Sequence, residues 1–360
     1  MENFFCKTRI VSGHGAVSAL KELQIQRLLL VTDPFFVKNG TAGRIADLTG
    51  AGQKQIFDKI QPDPSVELVA EGTALVQNFQ PDTLVILGGG SAMDCGKAMA
   101  YFSGQRPRLV AIPTTSGSGS EVTDFAILTH GQVKHPLVDE KLQPDMAILD
   151  GELLQLLPPK LIADTGFDVL CHALEAYVAT GAGAISDALA VDAFCRAFSL
   201  LPASFAGKTN VRQQVHEAAT MAGMAFSQAG LGLCHAMAHS LGGALHLPHG
   251  RLNAILLPAV ITCNTPKAFC KYADIARRAG LGGSADTIAV RSLKNELIRL
   301  RKELQMPATL AQAGIDPLEV RSRAKSIVQA ALDDPCCLTN PVPVTASMVR
   351  NVLEEVTGGV

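Results

Sequence analysis

Four short aliphatic runs, each closed by a turn, punctuate the first part of the chain, and such runs become scarce after residue 157. They are Arg27–Asp33, Thr83–Leu87, Leu109–Ile112 and Met146–Leu149, ended respectively by Asp33-Pro34, three glycines, Pro113 and Asp150. Helix-like segments, Glu67–Asn78 and Ala92–Phe102, lie between the earlier runs. Neighbouring parallel strands need a crossover connection, so strands alternating with helices predict a doubly wound parallel sheet. After Leu157-Pro158-Pro159 the texture becomes alanine-rich and 3.6-periodic, over Ile162–Ala179, Ile185–Leu200, Val211–Ser227, Leu233–Leu245 and on to the end. The expected organisation is an α/β N-terminal domain over residues 1–158 and an all-α C-terminal domain over residues 159–360. A chain of 360 residues, 48% hydrophobic and 18% charged, can bury a core in each.

Charge excludes some classes of partner. A formal net charge of -2 and the absence of any like-charge run point away from nucleic acid and from anionic membranes. Met1–Ser12 carries Glu2, Lys7 and Arg9 without a long apolar segment, so no secretory leader is expected. Nine scattered cysteines then read as reduced thiols in the cytoplasm, and Cys336-Cys337 as two small residues near a turn. Ala218–Gly250 holds no charged residue apart from histidine and is long enough to span a bilayer. Its four histidines and many glycines favour a buried helical hairpin, whose polar groups then need partners.

Two glycine-rich elements follow strands. Gly88-Gly89-Gly90-Ser91 opens a helix, where free backbone N–H groups favour a phosphate and glycine allows its close approach. As a dinucleotide fingerprint it is imperfect, with Met93 where Gly or Ala is usual. Pro113–Glu121 is the second element, and Thr114, Thr115 and Ser118 offer hydroxyls for ribose or phosphate. Two such loops at successive strand ends predict one crevice at the carboxyl edge of the sheet. Asp33 ends the first strand, where an acidic side chain bonds ribose hydroxyls and repels a 2′-phosphate.

The helical part carries a second chemistry. Asp168 and His172 are four apart on one helix face. His235, His239, His246 and His249 place four of the nine histidines within fifteen residues, in an uncharged setting. Imidazoles clustered with a carboxylate on an apolar helix point to a divalent metal. Spacing leaves the ligands open, since His235/His239 form an i, i+4 pair and His246/His249 an i, i+3 pair.

These residues together resemble the iron-containing (group III) alcohol dehydrogenases over nearly the whole chain. Gly88–Lys97 is similar to the family's GGGSxxDxxK element, and Pro113–Glu121 to PTTxGTGSE, with Ser118 in place of the usual threonine. Gly166–Glu175 resembles GxDxLxHAxE, and Gly232–His239 with Pro248-His249-Gly250 matches the remaining signature. The resemblance implies the dehydroquinate synthase-like fold of that family. It also implies that Asp168, His172, His235 and His249 hold one divalent metal, Fe²⁺ with Zn²⁺ as the alternative. His239 would lie by the nicotinamide as the proton-transfer residue, and Asp94 would join Asp33, Gly88, Gly89, Gly90, Ser91, Thr114, Thr115 and Ser118 in binding NAD(H). Arg251 departs from the family, which commonly has an aliphatic residue there.

Within the family, Phe5–Gly13, Ala163–Asp168 and Met221–His235 most resemble the 1-propanol dehydrogenases of bacterial propanediol utilisation, followed by the ethanol dehydrogenases of ethanolamine utilisation. The implied function is interconversion of a short aliphatic aldehyde, propanal foremost, and its primary alcohol. Alternatives are ethanol, lactaldehyde or glycerol dehydrogenases, a dehydroquinate synthase-like lyase, or an inactive microcompartment component. The implied setting is a cytoplasmic homodimer, in some bacteria inside a microcompartment. Leu170, Phe226 and Leu245 are expected to keep the metal's surroundings apolar.

Overall fold

The computed structural model describes residues 4–131 and 133–358. It divides into two compact units, one over Phe5–Leu157 and the other beginning at Pro158.

The first unit is built on a six-stranded parallel sheet in the order β1-β8-β5-β4-β2-β3. Its strands are β1 (Arg9–Ser12), β2 (Arg27–Thr32), β3 (Gln53–Phe57), β4 (Thr83–Gly88), β5 (Arg108–Pro113) and β8 (Met146–Leu149). β6 (Phe125–His130) and β7 (Val133–Val138) form a separate antiparallel hairpin. The helices are α1 (Pro34–Lys38), α2 (Thr41–Leu48), α3 (Val66–Phe79) and α4 (Gly90–Phe102). The unbroken aliphatic runs are explained by burial on both faces. Leu29, Val31, Leu84 and Ile86 enter the core under α3 and α4, whereas Leu28, Leu30, Val85 and Leu87 enter the core with Ile45 of α2.

All four strands expected from sequence are present, and α3 and α4 cover the expected helical segments. β1 and β3 escaped the reading because they are the two edges of the sheet. Their side chains are largely exposed, so no apolar run marks them.

The second unit is helical: α5 (Pro159–Val178), α6 (Ala184–Phe205), α7 (Arg212–Ala229), α8 (Leu233–Leu245), α9 (His249–Arg278), α10 (Asp286–Glu303), α11 (Pro317–Asp333) and α12 (Ala346–Thr357). α5 is buried nearly all round from Ile162 to Val178, as suits a helix surrounded by α6, α7 and α9. The uncharged stretch forms the expected hairpin, α7 and α8, joined through Gly230, Leu231 and Gly232. Among the described residues only α6 is long and apolar enough to cross a membrane. Its buried positions Ala190, Ala193, Phe194, Ala197 and Leu201 follow a one-sided helical stripe, the pattern of a helix packed on neighbours.

One buried cation organises the carboxyl edge of the sheet. Lys97 of α4 has no exposed surface. Its ammonium donates to Ser120 O and Oγ at 2.9 Å and to Thr123 O and Oγ1 at 3.2 Å. Burial pulls its pKa down to about 8 against the opposing pull of Asp94, Glu121 and Asp124. The lysine therefore ties the segment after β5 to α4. Replacing it by methionine strands buried acceptors, so Lys97→Met is expected to cost about 3 kcal/mol in urea unfolding. Unchanged stability would show that the loop is held by something else.

Candidate metal centre and cofactor loops

The metal-binding candidates stand on three helices, and one carboxylate sets the most important of them. Glu175, on α5, accepts from the backbone N–H of Gly232 (3.0 Å), Cys234 (2.7 Å) and His235 (3.3 Å). The same carboxylate lies 2.6 Å from His235 Nδ1. Asn340 Oδ1 accepts from Leu233 N at 3.0 Å. The free N–H groups that begin every helix are thus satisfied for α8 by a buried acid and an amide. At Gly232 a Cβ would stand 2.7 Å from Asn340 Oδ1 and 2.8 Å from Glu175 Oε1, so the approach requires glycine. Gly250 serves the start of α9 in the same way, because a Cβ there would fall 1.9 Å from the carbonyl oxygen of Asp164 on α5.

These contacts converge three imidazoles on Asp168. Its Oδ1 lies 3.9 Å from His172 Nδ1, 3.7 Å from His235 Nε2 and 3.5 Å from His249 Nε2. Donors about 2.1 Å from a tetrahedrally bound ion would be about 3.4 Å apart, so the spacing needs little adjustment to take one. Asn253 Nδ2 donates to Asp168 Oδ1 at 2.7 Å and sits 3.4 Å from His235 Nε2. With Nδ1–H of His235 directed at Glu175, Nε2 carries the lone pair on the Asp168 side, the arrangement of a metal-ligating histidine. Among the described residues His172 Nδ1 is buried without a hydrogen-bond partner, which is costly unless something electrophilic meets it. The residues therefore fit a divalent cation.

The electrostatics agree. Burial holds the His172 pKa down to about 4, so its ring is neutral near pH 7. Burial opposes ionisation of Asp168, but His172, His249 and His235 outweigh it and hold the acid well below the usual carboxylate range. Burial also lowers the His235 pKa, yet Asp168 and Glu175 overcome it and raise that group to about 9, so a cation bound at Nε2 would take the place of a proton there. Both acids thus favour positive charge at this point.

The structure separates the remaining histidines. His239 lies one turn beyond His235, stacks on His249 with ring centroids 5.1 Å apart, and places Nδ1 2.8 Å from Asp334 Oδ2. His246 is exposed and ends α8 in a left-handed conformation (φ 55°). Phe226 stacks on His172 at 4.4 Å. Leu170, two residues from each α5 ligand candidate, is on the opposite face of that helix, and it and Leu245 are core residues. Arg251 is held in a fork by Asp164, with bonds of 3.1 and 2.8 Å.

Sequence reasoning assigned no role to Glu175, Asn253, Asp164 or Asp334. Glu175 was the most findable, an acid three residues from His172 on a helix otherwise apolar toward its end. Asp334 gave no signal, because only the fold brings it to a histidine 95 residues away.

In the sheet-bearing unit, the cofactor candidates share one edge. Asp33, Gly88 and Thr114 stand at or just beyond the carboxyl ends of β2, β4 and β5, and Thr114 N donates to Gly88 O at 3.0 Å. Asp33 Oδ1 caps α1 through Phe35 N at 2.9 Å, while Oδ2 would lie 3.8 Å from a Cβ placed on Gly88. A Cβ on Gly89 would be 3.2 Å from Thr115 Oγ1, and one on Gly90 would be 3.3 Å from Ser118 Oγ. The half-buried Thr115 and Ser118 thus flank the glycine turn, whereas Thr114 is buried. Among the described residues no side chain caps the start of α4, which leaves its N–H groups for an anion. Asp94 accepts from Ser120 Oγ at 2.8 Å, and Ser91 lies in the first turn of α4. This glycine cradle and bare helix end fit a dinucleotide.

Comparison with known proteins gives a consistent result. Residues 7–151 match the iron-containing alcohol dehydrogenase family, and residues 162–357 match its C-terminal part. The chain is 42% identical to the 1-propanol dehydrogenase of Citrobacter freundii over 99% of its own length and 100% of the relative. It is 37% identical to the NADPH-dependent butanol dehydrogenase of Clostridium saccharobutylicum, covering 100% and 99% respectively. Its fold resembles that of an iron-containing alcohol dehydrogenase from Thermococcus thioreducens with a TM-score of 0.92 and 33% identity, covering 98% of this chain and 99% of that one. A sulfoacetaldehyde reductase from Bifidobacterium kashiwanohense, solved with NAD+, gives a TM-score of 0.90 at 26% identity, covering 99% of each.

Two substitutions test the metal centre. His249→Ala is expected to lower bound metal and activity together, as measured by elemental analysis of dialysed protein; full occupancy would remove His249 from the set. Glu175→Gln keeps a hydrogen-bonding side chain but removes the charge behind His235. It is expected to weaken metal affinity about 10–100-fold in chelator competition.

Proposed function

The chain belongs to the iron-containing alcohol dehydrogenase family, and on that premise we propose that it interconverts a short unbranched aldehyde, propanal foremost, and its primary alcohol with NAD(H). The reading is carried by the carboxylate of Asp168 with three imidazole nitrogens 3.5–3.9 Å from one of its oxygens. Asp168, His172, His235 and His249 would hold Fe²⁺, or Zn²⁺ in its place, which supplies Lewis acidity to the carbonyl oxygen when bound. The nicotinamide ring supplies or accepts the hydride.

The chain's own residues do the rest. The N–H groups around Gly88–Ser91 hold phosphate oxygens, with Thr115 and Ser118 as hydroxyl partners and Asp94 holding Ser120 in place. Asp33 presents an acid to the ribose, where a 2′-phosphate would meet like charge at close range. One relative's name specifies NADPH, so membership of the family leaves this choice to local residues, and in this chain Asp33 is the residue argued to make it. His239 gives or takes the proton of the substrate oxygen through Nε2. Phe226 packs an apolar ring against His172, and Arg251 is already neutralised by Asp164. A small uncharged substrate suits those surroundings better than an acid. Resemblance to the propanediol-utilisation branch supports a cytoplasmic homodimer, housed in a microcompartment where the host builds one.

The substrate assignment is tested by kcat/KM for propanal, acetaldehyde, lactaldehyde and dihydroxyacetone, with glycerol in the oxidative direction, on protein loaded anaerobically with Fe²⁺ or Zn²⁺. Propanal should lead or equal acetaldehyde, and a clear preference for glycerol would overturn the assignment. Cofactor choice is tested separately. The wild type should favour NADH over NADPH, and Asp33→Gly should narrow that preference. Equal use of both cofactors by the wild type would remove Asp33 from this role.

A further inference from the structure

His239 lies beside the metal set, and its ring, like that of His235, is aligned by an acid. Asp334 Oδ2 lies 2.8 Å from its Nδ1, while Asp334 Oδ1 accepts from Cys336 N at 2.8 Å. Both carboxylate oxygens are thus engaged, and the side chain is 13% exposed. The segment that carries this acid is tied to both ends of α8. At the start, Thr339 Oγ1 donates to Leu231 O at 2.6 Å and Asn340 Oδ1 accepts from Leu233 N at 3.0 Å. At the far end, Arg323 of α11 donates to Ala244 O at 2.7 Å. The acid therefore holds a fixed place relative to the helix that bears His239.

We propose that Asp334 is a positioning residue for His239, fixing the tautomer in which Nδ1 carries the proton and Nε2 is free to exchange one. The proposal rests on the reading of His239 as the proton-transfer residue. A carboxylate accepts only, so a neutral ring facing it must be protonated at Nδ1. Nε2 makes no hydrogen bond among the described residues, and the flat stack on His249 restrains the ring from turning. In alcohol oxidation the substrate O–H bond breaks and its proton joins the Nε2 lone pair. The C–H electron pair leaves as hydride to NAD+, and the imidazolium is balanced by Asp334 until Nε2 releases its proton to water. Aldehyde reduction runs the same transfers backwards.

The test is a double-mutant cycle on the metal-loaded enzyme, reading kcat, KM for the alcohol and metal content. Asp334→Ala should lower kcat about 10–100-fold with metal content and KM little changed. Asp334→Asn keeps one acceptor oxygen for Cys336 N–H, so it preserves the turn, but it turns an amide donor on Nδ1 and favours the opposite tautomer, so it should lose at least as much kcat as the alanine variant. In a His239→Ala background, Asp334→Ala should change kcat by less than about 2-fold, because the acid then has nothing to position. A full further loss in that background, loss of metal from Asp334→Ala, or wild-type kcat in Asp334→Asn would overturn the proposal. If His239→Ala itself keeps wild-type kcat, the proton-transfer reading falls and this proposal with it. If His239→Ala loses kcat but both Asp334 variants do not, only this proposal falls.

Discussion

Asp168 is a buried carboxylate, and burying an ionised acid without compensation is among the most expensive things a fold can do. Here the compensation is three imidazoles on three different helices, α5, α8 and α9. Much of the second unit can be read as the means of bringing them there. α5 runs buried through the unit, with Asp168 and His172 on one face. Glu175, on the same helix, caps α8 and aligns His235. Gly250 lets the first turn of α9 come against the backbone of Asp164, and the Arg251–Asp164 fork fastens it there. His172 keeps one nitrogen without a hydrogen-bond partner among the described residues. The simplest physical account is that the arrangement is complete only with a cation, whose charge offsets the desolvation of Asp168 and gives that nitrogen its contact.

The same logic divides labour among histidines that look alike in sequence. His235 is backed by Glu175, and its other nitrogen faces Asp168. His239, one turn later, is backed by Asp334, and its ring lies alongside the ligand candidates rather than among them. His246 ends its helix in the left-handed region and is exposed. What distinguishes the three, among the described residues, is the acid behind the ring, or its absence, which spacing alone does not disclose. Arg251 is a similar case. It stands beside the metal loop where the family commonly has an aliphatic residue, yet its charge is already taken up by Asp164.

The fold was legible where burial was two-sided or strongly periodic. Leu28-Leu29-Leu30-Val31 is apolar throughout because both faces of β2 are covered, and that made it unmistakable. β1 and β3 are exposed edges, so their residues carry no comparable pattern. The candidate site was legible to the extent that its groups are local in sequence. Asp168 and His172 share a helix face, and Gly88–Ser91 directly follows its strand. Glu175, Asn253 and Asp334 act through contacts made 57 to 95 residues away, and such pairings exist only after folding.

Among the described residues, three groupings of side chains in the second unit lie close enough to hold an ion: Asp168 with His172 and His235, Cys171 with Glu175 and His235, and His239 with Asp334 and Cys336. Only the first lacks a thiol, and burial pushes the Cys171 and Cys336 thiols well above their ordinary pKa, which favours S–H over thiolate. X-ray absorption at the metal edge of protein loaded with one equivalent of Zn²⁺ separates these possibilities directly. The account predicts nitrogen and oxygen neighbours at about 2.0–2.2 Å and no sulfur. A sulfur neighbour at about 2.3 Å would place the ion on a cysteine and contradict the assignment to Asp168, His172, His235 and His249.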